Sequence, residues 1–145
     1  GLGDVYKRQL DMNPDWFSGH VAYSMAKFGM SLCVLGMAAE FKDDGVAVNA
    51  LWPRTAIATA AVKNVLGGEQ LVNISRGPEI MADAAYVILT KPSKEFSGNF
   101  CIDDTLLAEN GVSDFSVYAD VPFDQLAPDF FVPEDMPPPE AAKKS

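Results

Sequence analysis

The longest apolar stretch of the chain, VAYSMAKFGMSLCVLGMAAEF at 21–41, is broken by a single cation, Lys27, with no counter-charge before Glu40. Its small residues Ala22, Ala26, Gly29, Cys33 and Gly36 recur at alternating spacings of four and three. A helix over about 18–41 gathers them into one stripe. Such a stripe admits a close neighbour, so the helix is expected to pack on both sides. Gly45 in KDDG is placed to end it. VAVNALW at 46–52, bounded by Gly and Pro, reads as a buried parallel strand. A loop from Pro53 carries a short helix near 59–66, and a further helix opens at Pro78 and stops at Pro92. SGNFCIDD supplies a second buried strand and DTLLAENG a short helix closed by Gly111. Helix, strand, helix, strand is the rhythm of an α/β domain with a parallel sheet, although two strands make only part of one.

Composition narrows the classes. Hydrophobic residues are 48% of the 145 and charged ones 21%, enough to build a real core. The net charge of −9 gives no basic footprint for nucleic acid or an anionic membrane, so neither partner is expected. Cys33 and Cys101 lie in apolar runs and read as buried, reduced thiols of an intracellular protein. One His and two Cys are too few for a structural zinc site, and no metal is expected. The longest uncharged run, 28–39, falls short of the roughly 20 residues that span a bilayer. No apolar segment marks the first nine residues as a secretory signal, so a soluble, cytoplasmic protein is expected.

Tyr23 and Lys27 fall one helical turn apart on one face. A lysine on a buried helix is costly unless something offsets it. Either its ammonium snorkels to water while Tyr23 merely packs, or the pair is kept for chemistry. A phenol with a pKa near 10 is a poor base at neutral pH. A neighbouring ammonium favours the phenolate and lowers that value. The Tyr-x-x-x-Lys spacing alone does not decide between these readings; its setting adds to it. A turn-rich loop precedes the helix, and a strand ending in Asn-Ala-Leu-Trp-Pro and a Thr-rich loop follow it.

These segments resemble the short-chain dehydrogenases/reductases. YSMAK is similar to the active-site motif of that family, and VAVNALWP with the following threonines to its next strand and cofactor loop. The run from WFSGH to AAEF, with GVAVNALWPRTAIATAAV, MADAAYVIL and SGNFCIDD, resembles the branch of hydroxysteroid dehydrogenase-like proteins and citronellol/citronellal-type dehydrogenases. The likeness covers residues 10–131. It implies an α/β fold, the C-terminal half of a Rossmann-type doubly wound parallel sheet. It implies NAD or NADP as cofactor and an alcohol, aldehyde or ketone as substrate, with the parent protein a homo-oligomer. By this resemblance Tyr23 is the general acid/base and Lys27 tunes it and holds the cofactor. Pro53, Ile57 and Thr59 fall on the cofactor loop.

The match has departures. Arg54 stands where the family loop has glycine, as a phosphate contact or a solvent-facing side chain. Asp103 and Asp104 read as helix-capping carboxylates, and Asn49 as a strand-end hydrogen bonder. No glycine-rich turn follows a first strand, and the catalytic serine of the branch would fall inside GLGDVYKRQ; Ser18 is too near Tyr23 for that role. The expected organisation is therefore a foreign, adapter-derived peptide at 1–9, the C-terminal part of a dehydrogenase domain at 10–112, and an extended, largely disordered tail at 113–145. Such a fragment is expected to be inactive alone. The rival reading is a non-catalytic lipid- or protein-binding member of the same scaffold.

Overall fold

The computed structural model describes residues 12–66, 68–132 and 136–144. The peptide 1–9, read above as foreign, lies outside the described residues. In chain order the elements are α1 (Val21–Glu40), β1 (Ala50–Trp52), α2 (Gly68–Asn73), α3 (Glu79–Thr90), β2 (Phe100–Ile102) and α4 (Asp103–Glu109). A π-helical turn at Val62–Leu66 occupies the place of the short helix expected near 59–66. Contacts divide the chain into two units. One runs to Ala50 and takes in Thr90–Cys101; the other comprises Leu51–Leu89 and the chain from Ile102 onward.

In the first unit α1 begins after a turn at Pro14–Trp16, where the Asn13 side chain accepts the Asp15 N–H. The helix ends at the Lys42–Gly45 turn, where Val46 N–H reaches back to the Phe41 carbonyl. Gly45 adopts φ +73, a backbone that side-chain-bearing residues rarely take. Of the twenty residues of α1 only Ser24, Phe28 and Ser31 are buried. The expected packing on both sides is therefore corrected: the face carrying Gly29 and Gly36 has nothing within 4 Å of an added Cβ, and Cys33 is exposed rather than buried. An apolar stripe states that a face can be covered, not that the described residues cover it. Including Lys27, α1 is also long and apolar enough to cross a membrane by length and composition, which the uncharged run 28–39 alone did not suggest. An inserted helix of this sequence would carry an ammonium into the bilayer, at a cost.

The two-stranded sheet places β1 beside β2. Gly98 N–H donates to the Val48 carbonyl and Ala50 N–H to the Asn99 carbonyl, both at 2.8 Å, so the pairing advances in the same direction along both strands. Asn49 is the expected strand-end hydrogen bonder: its amide donates to the Phe96 carbonyl at 3.0 Å and its oxygen accepts from Asn99. β2 is buried at every residue, and β1 is half-buried.

The core of the second unit gathers Ile80 and Ala84 of α3, Leu106 and Leu107 of α4, and Phe115, Tyr118, Leu126, Phe131 and Ala142. Five of these nine lie in the segment expected to be a disordered tail. The described residues of that segment are not a loose tail: they form short 3-10 turns at Ser116–Tyr118, Phe123–Gln125 and Ala142–Lys144, and they pack. Its backbone bonds to the loop after β1 and to the chain just after α2: Ala56 N–H donates to the Ala127 carbonyl and Asp129 N–H to that of Arg54, while Ala127 N–H donates to the carbonyl of Ile74. Proline-rich composition concealed the aromatic anchors between the prolines.

Candidate functional site

Ser24, Phe28 and Ser31 share one line of α1, spaced by four and three residues, and that line faces inward. The Ser24 hydroxyl donates to the Trp16 carbonyl, and the Phe17 and Phe28 rings meet at 4.9 Å between centroids. This anchoring fixes the rotation of the helix. Tyr23 and Lys27 each precede a buried residue by one position, about 100° round the axis, and both are exposed. The Lys27 ammonium lies 5.5 Å from the centroid of the Tyr23 ring. An exposed cation–ring contact contributes about 0.5–1 kcal/mol, too little to account for how the helix is held. The two side chains share one face and one neighbourhood; the packing beneath puts them there.

In the second unit the chain leaves β1 into the loop 53–59. Pro53 and Ile57 are half-buried and Thr59 is exposed. Thr59 opens the following helical turn: its hydroxyl oxygen accepts the Val62 N–H at 3.4 Å and its carbonyl accepts from Lys63 at 3.0 Å. Thus Tyr23 and Lys27 are brought together within the first unit, and Pro53, Ile57 and Thr59 along one loop of the second.

Arg54 is neither a phosphate contact nor a solvent-facing side chain, because it is buried at 5% exposure. Its Nε donates to both Asp104 oxygens at 2.8 Å, its Nη2 to the Thr105 hydroxyl at 2.8 Å, and its Nη1 to the Met136 carbonyl at 2.7 Å. Arg76, at 1% exposure, gives the same Asp104 a second guanidinium at 3.2 Å. Asp103 is also buried. It accepts the Arg54 N–H at 3.0 Å and the Asp104 N–H at 2.7 Å, so the capping role expected of it is only part of what it does. Burial first, and then the charge of Asp104, push the Asp103 pKa up to about 7, against the opposing pull of two N–H groups and Arg76. The sequence offered one signal for this cluster: two adjacent carboxylates closing an apolar strand, with arginines inside apolar segments. Nothing in it showed that residues some fifty positions apart would meet.

No protein-family model matches the chain. Among curated proteins, hydroxysteroid dehydrogenase-like protein 2 of Bos taurus is 57% identical over 125 residues, 86% of this chain and 29% of that protein. The chain thus spans under a third of the length of this relative. Among solved structures, a provisionally named dehydrogenase from Xanthomonas campestris superposes with a TM-score of 0.78 at 50% identity, covering 86% of this chain and 45% of that one. A short-chain dehydrogenase from Mycobacterium thermoresistibile gives 0.76 at 48% identity, covering 90% and 46%.

Proposed function

From a chain homologous to a segment of hydroxysteroid dehydrogenase-like protein 2, with the α/β fold of the short-chain dehydrogenases, we propose that the whole protein is an NAD- or NADP-dependent oxidoreductase interconverting an alcohol and the matching aldehyde or ketone. The observation that carries this reading is the Lys27 ammonium 5.5 Å from the Tyr23 ring on an exposed face of α1. Within the first unit, the Lys27 ammonium with its three hydrogens and the exposed Tyr23 suit a nicotinamide dinucleotide; within the second, so do the exposed Thr59 and the apolar Pro53 and Ile57, on a loop whose backbone is already bonded elsewhere. When bound, the dinucleotide accepts or supplies the hydride.

The chain's own residues handle the proton and the positioning. Tyr23 takes the proton from the alcohol hydroxyl in oxidation and returns one to the carbonyl oxygen in reduction. Lys27 favours the phenolate form of Tyr23 by its charge and donates hydrogen bonds to the dinucleotide. Pro53, Ile57 and Thr59 line the loop that holds it. A cytoplasmic location is part of the same proposal. The isolated 145-residue chain, spanning 45% and 46% of the two solved dehydrogenases, is proposed to lack turnover.

Titrating the full-length protein with NADH and NADPH, followed by nicotinamide fluorescence, tests the reading. Saturable binding of at least one is expected. Binding of neither would favour the rival, a non-catalytic lipid- or protein-binding member.

A further inference from the structure

We infer that Arg54 and Asp104 are positioning residues that set the coenzyme face of the loop 53–59; this rests on the proposal that Pro53, Ile57 and Thr59 contact the dinucleotide.

Three nitrogens of Arg54 reach two separate pieces of chain, Asp104 and Thr105 at the start of α4 and the carbonyl of Met136. Its main chain is held as well, the N–H by Asp103 and the carbonyl by Asp129. Asp104 then ties in Arg76, whose backbone grips the far end of the same loop: Arg76 N–H donates to Ala56 at 2.9 Å and Ala58 N–H to Arg76 at 2.8 Å. One buried carboxylate therefore fastens both ends of the loop to α4. The bonds that do so engage Arg54, Ala56 and Ala58, and they leave the side chains of Pro53, Ile57 and Thr59 out of the clamp.

Magnitudes favour positioning over mere stability. Taking a guanidinium and a carboxylate out of water is costly and their attraction only roughly offsets it, so replacing the whole pair by apolar side chains can be equally stable. The feature an apolar side chain cannot reproduce is a planar fork that bonds in fixed directions. The asset is geometry.

The test compares Arg54→Met and Arg54→Lys with wild type in the full-length protein. Arg54→Met leaves Asp104 its Arg76 partner, so far-ultraviolet dichroism is expected to stay as in wild type while the thermal midpoint falls, one buried partner being lost. Without nucleotide, hydrogen exchange at Ala56, Ala58 and Asp129 should quicken about tenfold in Arg54→Met, while α3 exchanges as before. In steady state the coenzyme KM should rise about tenfold with kcat within about twofold. Lysine, a point charge without the fork, should restore part of both. Wild-type exchange and KM in Arg54→Met would overturn the inference, as would faster exchange spread across the whole unit. Failure of the unmutated protein to bind either dinucleotide is a separate result; it sinks the coenzyme reading itself.

Discussion

Tyr23 and Lys27 owe their exposure to their neighbours: Ser24 and Phe28, each one position later, turn inward and leave the pair about 100° away on the open side. The pairing was legible because a four-residue interval on a helix forces two side chains together. The burial of Arg54, Asp103 and Asp104 was not, since each depends on contacts across some fifty positions of chain. Asp103 yields a prediction of its own. A carboxyl raised from 3.8 to about 7 in the fold binds its proton more tightly there than in the unfolded chain. Its contribution to stability is complete below about pH 4 and is lost as pH rises to about 7. Urea unfolding of the full-length protein at several pH values should show the midpoint falling across that window. Asp103→Asn, which keeps an oxygen for both N–H donors, should flatten the slope; an unchanged slope would remove Asp103 as its source.

At the scale of elements, the long helices were legible because capping and punctuation mark them. The expected 18–41 became Val21–Glu40, and the run between Pro78 and Pro92 became Glu79–Thr90. The strands shrank to three residues each, since only part of each apolar run finds a paired backbone. The segment after Gly111 was misjudged for a different reason: its anchors are irregularly spaced and leave no period to read. Tyr118 shows how it is fixed. Its hydroxyl donates to Asp83 of α3 at 2.7 Å, and burial together with that carboxylate pushes its pKa up to about 12. Phe131 shows the same at greater cost. It holds a left-handed φ of +67, which costs an ordinary residue about 1–2 kcal/mol, and it stays because its buried ring packs against Trp52 and Phe130. Phe131→Ala should therefore lower unfolding stability by about 3–5 kcal/mol in denaturant titration. A loss below about 1 kcal/mol would mean that this segment is not part of the core.

For the whole molecule, the α/β class was readable from element order, and the motifs in the chain pointed to the relatives later found. What covers α1 was not readable. Val21, Met25, Met30, Leu32, Leu35 and Met37 all remain 40% exposed or more, and sequence reports such a face without naming its cover. The homo-oligomer that the resemblance implies should appear as a dimer or larger species in sedimentation of the full-length protein; a monomer at every concentration would remove that expectation. The central claim is narrower: one phenol moves the proton beside one ammonium. Measuring single-turnover hydride transfer in full-length Tyr23→Phe tests it most directly. The account predicts a rate about 10²–10⁴-fold below wild type, with dinucleotide affinity nearly unchanged. Transfer at the wild-type rate would contradict it.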